Sequence, residues 1–254
     1  MLLDVLFDPF GGRWPDLRDG AVLAEQAGFA GVWLYDHLAG SVHGASRVLE
    51  CWTTLTAIAA TVPRIAVGSL VLNVANRDAG TLAVMAATLQ EVSDGRLLLG
   101  LGAGGGRDTP YASEQEALGR TVAGAAVRRR AVEEAVGRLR GVWSGSVGGV
   151  DGFLRPEPPP PVIIGGFGPK MAEIAGRLGD GINAPGGAQL SRLVDTAHAA
   201  RERSGRDPGH FVVTASAGPR DRARLDDLGV DRMIVAVGPP YRDGVARAGD
   251  ALFA

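Results

Sequence analysis

An aspartate and a histidine, Asp36 and His37, directly follow the short apolar run Gly31–Tyr35. If that run is a strand, His37 lies at its C-terminal end, where an imidazole can donate a hydrogen bond or exchange a proton near neutral pH. The ring could equally be satisfied by a nearby carbonyl group. The other histidines have no comparable placement and are predicted to be surface residues: His43, His198 and His210.

A second candidate for chemistry is the glycine-rich segment Gly165–Lys170, between a predicted strand and a predicted helix. Glycines let the backbone approach an anion closely, and the free N–H groups at a helix N-terminus attract it. Lys170 is the only lysine among the 26 basic residues. Of the two interpretations, a phosphate site and a plain tight turn, this lysine favours the phosphate site.

Another glycine cluster, Gly100–Gly106, overlaps the end of the predicted strand Leu97–Leu101. Its spacing resembles a dinucleotide-binding fingerprint, but that fingerprint requires a helix that starts at its glycines. The next recognisable helix begins only at Val127, so a Rossmann fold is not predicted. The cluster is either a backbone that passes close to a flat ring or the hinge of a flexible loop.

Composition argues against several classes of partner. The net charge is -2 and the pI is about 6.1, whereas nucleic acids and membrane surfaces are bound by concentrated positive charge. No apolar run approaches the roughly 20 residues that span a bilayer. With one cysteine, Cys51, and no metal-ligand spacing among the histidines, neither an intrachain disulfide nor a metal site is expected. The N-terminus is typical of a strand and not of a signal peptide, so the expected location is cytoplasmic.

The fold class follows from the apolar pattern. Short apolar runs alternate with stretches of three-to-four-residue apolar spacing, as in βα units around a parallel sheet. Eight runs predict strands: Leu2–Phe7, Gly31–Tyr35, Ile65–Leu72, Leu97–Leu101, Val162–Gly165, Gly181–Asn183, Phe211–Ala215 and Arg232–Val237. Longer stretches predict helices: Leu17–Ala27, Trp52–Thr61, Thr81–Ser93, Val127–Trp143, Met171–Leu178 and Leu190–Ser204. The pattern predicts a (β/α)₈ TIM barrel, an α/β fold whose chemistry lies at the C-terminal strand ends.

The length of 254 residues suits a single barrel domain, residues 1–254, with two irregular segments. Residues 102–124 are rich in Gly, Ala and polar residues, and so long a loop is usually a functional lid or disordered. Residues 144–161 end in a proline-rich run that must be extended. We interpret this run as a stiff strap that leads into the fifth strand.

Four segments, taken in order, resemble the luciferase-like monooxygenase superfamily, and in particular its actinobacterial branch that uses the deazaflavin coenzyme F420. They are Gly31-Val-Trp-Leu-Tyr-Asp-His-Leu38, Glu50-Cys-Trp-Thr-Thr-Leu-Thr-Ala-Ile-Ala-Ala60, Ser93-Asp-Gly-Arg-Leu-Leu-Leu-Gly-Leu-Gly-Ala-Gly104, and Ile164-Gly-Gly-Phe-Gly168 with Gly179-Asp-Gly181. The resemblance extends from residue 1 to about residue 185. The resemblance rests on the four segments occurring together in this order, because no single segment is specific to the family.

The resemblance implies roles for particular residues. Asp36 and His37 fall beside the reactive face of the deazaflavin ring, and His37 is the candidate for proton handling. The segment Gly68–Asn73 aligns with a third-strand bulge in which a non-prolyl cis peptide, here Leu70–Val71, contacts the ring. The bulge and the two glycine clusters give the predicted cofactor-binding residues: Ser69, Leu70, Val71, Asn73, Gly102, Ala103, Gly104, and, on the phosphate-binding loop, Gly165, Gly166, Phe167, Gly168, Pro169, Lys170 and Met171.

The sequence also departs from the family pattern. Relatives that oxidise a sugar phosphate carry an acidic residue where this sequence has Gly105, so that activity is not expected. Asp78-Ala79 replaces the His-Pro of many relatives, and Cys51 replaces a proline. The loops near residues 106–125 and 144–160 are short, which implies a remodelled and more open pocket.

The resemblance implies an oxidoreductase that transfers hydride from reduced F420 to a small unsaturated or carbonyl substrate, with His37 or a water as proton source. A deazaflavin lacks the ring nitrogen that forms a flavin peroxide, which favours hydride transfer over oxygenation. The alternatives are an FMN-dependent monooxygenase and a non-catalytic flavin-binding barrel.

Family resemblance also implies a homodimer. Further candidates are Arg13, Arg77 and Arg107 for the acidic tail of F420, and Phe10, Trp52, Tyr111 and Phe167 for the substrate pocket.

Overall fold

A computed structural model of the chain describes residues 1–253. For Pro208 it describes the backbone only. Ala254, the last residue of the predicted domain range, lies outside the described residues. That residues 1–254 form one domain remains a prediction. None of the helices within the described part is both long and apolar enough to cross a membrane.

The central sheet consists of parallel strand segments: β1 (Leu2–Phe7), β2 (Gly31–Leu34), β3 (Ala66–Ser69), β4 (Leu72–Asn73), β5 (Leu97–Gly102), β6 (Val162–Gly165), β7 (Gly181–Pro185), β8 (Val212–Ser216) and β9 (Arg232–Val237). Their order is β3-β2-β1-β9-β8-β7-β6-β5-β4, and pairing of β3 with β5 closes the sheet. Because β3 and β4 are two halves of one barrel strand, the barrel has eight strands. The predicted (β/α)₈ TIM barrel is confirmed.

The helices surround this barrel: α1 (Trp14–Gln26), α2 (Cys51–Thr61), α3 (Ala79–Val92), α4 (Ala112–Ala117), α5 (Ala125–Ser144), α6 (Pro169–Leu178), α7 (Leu190–Arg203), α8 (Arg222–Asp227) and α9 (Tyr241–Phe253). Short 3-10 turns occur at Gly40–His43, Pro208–His210 and Pro219–Asp221. Each predicted helix is present with slightly shifted ends. Three helices were not predicted: α4, α8 and α9.

The third strand differs from its prediction. The apolar run Ile65–Leu72 predicted one continuous strand, but the ladder stops after Ser69 and resumes at Leu72. A non-prolyl cis peptide joins Leu70 and Val71 at the interruption. The bond that the family resemblance implied is therefore present in the structure.

The two irregular segments differ from each other. Residues 102–124 contain the short helix α4, so this part is not wholly a loop. Residues 145–161 contain no helix or strand in the structure as described, in agreement with the proline-rich strap.

Large apolar side chains fill the lower part of the barrel. Leu6, Trp33, Ile163 and Ile234 pack together inside the strands. The Trp33 indole N–H donates to the buried Asp4 carboxylate at 2.8 Å, towards the N-terminal end. Because this end is filled, a ligand must approach from the C-terminal strand ends.

Candidate active site

An open cavity of about 920 Å³ lies at the C-terminal end of the barrel strands. It is bounded by the ends of β2, β4, β5, β6 and β7 and by the first turns of α5 and α6. The predicted residues that line it are Asp36, His37, Leu70, Val71, Asn73, Gly102, Ala103, Gly104, Gly165, Gly166, Phe167, Gly168, Pro169, Lys170 and Met171. Their contact with a cofactor remains a prediction.

Among the predicted cofactor-binding residues of the bulge and the glycine clusters, Ser69 is the one that does not line the cavity. Its buried hydroxyl donates to the Gly100 carbonyl at 2.9 Å and lies 3.0 Å from the Gly100 N–H, which donates to it. Both bonds join β3 to β5 where β3 ends. The Ser69 side chain therefore holds the barrel closed below the cavity and does not face a ligand.

The side chain of Val71 lies against glycines of two neighbouring strands. A Cβ added to Gly102 would lie 2.5 Å from Val71 Cγ2, and one added to Gly165 would lie 2.8 Å from Val71 Cγ1. Both distances are far below the 3.5–4.0 Å of ordinary carbon contacts. A Cβ added to Gly104 would likewise lie 2.5 Å from Asn73 Cγ. These glycines are thus required by protein packing, and close approach of a flat ring is not needed to explain them.

Gly168 is the glycine that leaves open space for a ligand. It is the N-cap of α6 in an extended conformation, φ -144 and ψ 163, and a Cβ added there would meet nothing within 4 Å. Within the described chain, the N–H groups of Phe167, Gly168 and Lys170 have no protein acceptor. Unpaired N–H groups at a helix start attract anions. The Phe167 ring beside them is 83% exposed.

His37 is paired with a carboxylate that sequence reasoning did not find. Its Nδ1 lies 2.9 Å from Glu114 Oε1, and the Leu38 N–H donates to Glu114 Oε2 at 3.0 Å. Glu114 belongs to α4, is only 3% exposed, and lines the cavity together with His37. His37 thus lies at the mouth as expected, with its ring held by a carboxylate and not by a carbonyl. Its role in proton exchange stays a prediction.

Aromatic rings surround His37. The Tyr111 ring lies 4.6 Å from the imidazole and the Phe10 ring 5.3 Å from it, between centroids. His43, predicted as a surface residue, is exposed but packs on Phe10 at 4.3 Å. Burial, followed by the charge of nearby Asp8, raises the pKa of Tyr35. The Tyr35 phenol in the cavity therefore stays protonated at neutral pH and can donate a hydrogen bond.

The Asp36 carboxylate is wholly occupied by protein partners. Arg77 donates to both of its oxygens at 2.9 and 3.0 Å. The Asn73 backbone N–H and the Asn76 side-chain amide each donate to it at 2.9 Å. The carboxylate is fully buried, so Asp36 fixes the loop after β4 against the end of β2. A direct catalytic role for Asp36 remains a prediction that this bonding disfavours.

Arg77 is likewise committed to this network. Its guanidinium also binds the carboxylate of Glu50, which caps α2 by accepting from the N–H groups of Trp52 and Thr53. Burial by itself lowers the pKa of Arg77, but the hydrogen bonds and charge of Asp36, together with Glu50, outweigh it and raise the pKa. Arg77 is therefore always charged here and is not free for an acidic ligand.

We predict that Asp36→Asn lowers the free energy of unfolding by about 3 kcal/mol, because it leaves the largely buried Arg77 without its main partner. Urea unfolding followed by circular dichroism measures the change. The matched control is Asp19→Asn, which breaks the exposed Arg18–Asp19 pair and should cost less than about 1 kcal/mol. Equal losses in the two variants would contradict the structural role given to Asp36.

Other arginines than those predicted reach the cavity. Arg128 and Arg129 line it from the N-terminal end of α5, whereas Arg13 and Arg107 do not. The Arg128 guanidinium donates to the carbonyls of Ala103 and Gly104, while its Nε is buried without a partner among the described residues. Positive charge in a first helical turn opposes the helix dipole, and this is a sequence signal that could have identified the pair.

Comparison with known protein families gives a match to the family model described as luciferase-like monooxygenase over residues 7–250. Among curated proteins, the chain is 31% identical to an F420-dependent glucose-6-phosphate dehydrogenase of Beutenbergia cavernae, over 71% of this chain and 55% of that protein. It is also 31% identical to a 5,10-methylenetetrahydromethanopterin reductase of Methanolobus tindarius, over 78% of this chain and 59% of that one. The chain thus spans somewhat more than half the length of these relatives.

Solved structures share the fold at low sequence identity. An F420-dependent secondary alcohol dehydrogenase in complex with an F420-acetone adduct superposes with a TM-score of 0.84 and 16% identity, covering 99% of this chain and 98% of that one. The coenzyme F420 dependent tetrahydromethanopterin reductase from Methanopyrus kandleri gives a TM-score of 0.76 at 14% identity, with coverages of 99% and 98%. At such identities the likeness is one of fold.

Proposed function

Because the chain belongs to the luciferase-like monooxygenase family, we propose that it is an F420-dependent oxidoreductase. It transfers hydride between the deazaflavin and a small unsaturated or carbonyl organic substrate. The N–H groups and open space at Gly168, at the start of α6, form what we call the anion cradle. The observation that carries the proposal is that this cradle and the carboxylate-paired His37 lie in one cavity. The names of the 31% identical F420-dependent relative and of the two structural neighbours support the choice of cofactor.

The cavity residues fit a phosphate-bearing ring system. A phosphate would be held by three features: the open space at Gly168, the N–H groups beside it that have no acceptor among the described residues, and the ammonium group of Lys170. Leu70, Val71, Asn73 and the backbone at 102–104 would contact the ring, and Gly165, Gly166, Phe167, Pro169 and Met171 would complete the phosphate end. When bound, F420 supplies or accepts a hydride.

The remaining chemistry belongs to side chains of the protein. When its ring carries a proton on both nitrogens, His37 would donate the proton of the nitrogen that is not bonded to Glu114 to the reduced substrate. In the reverse direction the neutral ring would accept a proton at the same nitrogen. Tyr111 and Phe10 pack around the imidazole and limit the access of water to it. Asp36 would hold the strand end through its bonds with Arg77 and Asn73.

Cations near the mouth would bind an acidic cofactor tail. Arg128 and Arg129 line the same cavity as Lys170, so positive charge borders the anion cradle on more than one side. The buried Arg128 Nε still lacks an acceptor among the residues described, and a buried donor without a partner is costly. A carboxylate or phosphate oxygen would relieve this cost. The proposed homodimer is supported by family resemblance alone.

Titration with F420 and, separately, with FMN tests the proposal. We expect F420 to bind at least tenfold more tightly, a difference of about 1.4 kcal/mol, as measured by cofactor absorbance and fluorescence. Unsaturated ketones and lactones are then mixed with reduced F420, and reoxidation is followed at the deazaflavin band. If FMN binds and F420 does not, the result would favour the monooxygenase alternative. Binding without substrate-dependent reoxidation throughout the screen would favour the non-catalytic barrel.

A further inference from the structure

We infer that Glu114 is a positioning residue for His37: its carboxylate fixes the imidazole proton on Nδ1 and so leaves Nε2 available to the cavity. This inference rests on the proposed role of His37 in proton transfer. It assigns a function to the segment between β5 and α5, which carries Glu114 on the short helix α4.

The geometry gives each Glu114 oxygen its own donor. Oε1 lies 2.9 Å from His37 Nδ1, and Oε2 accepts from the Leu38 N–H at 3.0 Å. An ionised carboxylate can only accept hydrogen bonds, so Nδ1 must carry the proton. The Leu38 contact also fixes the backbone next to the histidine. Glu114 thus holds both the ring and the chain that carries it.

Three further contacts hold α4 against the barrel. The Gln115 side-chain amide donates to Asn76 Oδ1 at 2.7 Å, and the Arg120 guanidinium donates to the Asn76 carbonyl at 3.2 Å and to its Oδ1 at 3.4 Å. Asn76 in turn donates to Asp36. The position of Glu114 is therefore tied to the same strand ends that carry His37, and a rigid support of this kind is what a positioning residue requires.

A buried carboxylate is a poor choice for simple space filling. Burial of a charged group is costly unless hydrogen bonds and a charged partner compensate it, and Glu114 is 3% exposed. A glutamine would fill the same volume without charge. Its single oxygen could accept from Leu38 N–H or from His37, but not from both in the same geometry. If the oxygen stays on Leu38, the amide N–H₂ faces Nδ1 and forces the imidazole proton onto Nε2.

The decisive experiment is ¹⁵N NMR of the four histidines in the cofactor-free protein, with the pH raised until the spectrum no longer changes. We expect wild-type His37 to show a protonated Nδ1 and an unprotonated Nε2. Glu114→Gln should convert a substantial part of the signal to the Nε2-protonated form. The His37→Ala protein assigns the resonances. Because the wild-type spectrum is informative by itself, the test does not depend on folding of the variant.

Kinetics provide the second measurement. Glu114→Gln should lower kcat by about 10- to 100-fold, as removal of a supporting partner commonly does, and should leave KM and F420 affinity within about twofold. In a His37→Ala background the same change should cost no more than about twofold, because the two residues act as one unit. The control is Glu116→Gln, an exposed glutamate two residues further along α4, which should leave kcat unchanged.

A neutral wild-type His37 protonated on Nε2, or a tautomer that Glu114→Gln does not alter, would overturn the inference. So would an additive loss of activity in the double variant. Failure of the proposed function would give a different result. The wild-type protein would then neither bind F420 nor support substrate-dependent reoxidation of reduced F420, while the expected NMR result would still be observed.

Discussion

His37→Ala is expected to lower kcat by about 10²- to 10⁴-fold, the usual contribution of a general acid or base, while F420 affinity stays within about twofold. The imidazole lies at the cavity with Nδ1 bound to Glu114, and the tilted Tyr111 ring packs against it. Its remaining nitrogen is therefore the group available to a reacting substrate. Steady-state kinetics with reduced F420, together with a fluorescence titration of the cofactor, measure both quantities.

The control for this variant is His210→Ala. His210 is 90% exposed in its side chain and pairs with Asp207 at the surface, so its removal should change neither quantity. A loss of kcat for His37→Ala that is matched by an equal loss of cofactor affinity would assign the histidine to binding instead of proton transfer.

Most of the barrel was predictable because each strand is a short apolar run bounded by turn residues. β1, β6 and β9 begin and end at the predicted residues. The division of the third strand could not come from apolar periodicity, since Leu70 and Val71 are as apolar as the residues on either side. It was implied only by family resemblance. Helices α4 and α8 have six residues each, too few for an apolar repeat to be recognised.

The cavity lining was predictable for a topological reason, because parallel strands bring their C-terminal ends to one mouth. The structural role of each glycine in the lining could not be predicted. Whether a glycine faces a ligand or a side chain depends on a neighbouring strand, as with Gly102 and Val71. Glu114 escaped detection because it lies 77 residues from His37, and no local pattern links residues so far apart.

The largest effect on cofactor binding is expected from Gly168→Asp, which should weaken F420 affinity by more than about 100-fold, or roughly 2.7 kcal/mol. A carboxylate at this position would accept from the helix N–H groups itself and would repel a phosphate in the same space. The backbone there is extended and the space is open, so the fold should tolerate the change. Aspartate is also a better N-cap than glycine, and the unfolding midpoint should stay level or rise slightly.

The chain contains a matched control for this variant. Gly218 is also an extended N-cap followed by a proline and a basic residue, although it begins the short 3-10 turn Pro219–Asp221 and not an α-helix. Among the described residues nothing lies within 4 Å of a Cβ added there, and Gly218 does not line the cavity. Gly218→Asp adds the same charge at an N-cap position outside the cavity lining, so it should leave F420 affinity within about twofold. If both variants weakened binding equally, general electrostatic repulsion would explain the loss. If neither did, the anion would not bind at the start of α6, and the proposed orientation of the cofactor in the cavity would be wrong.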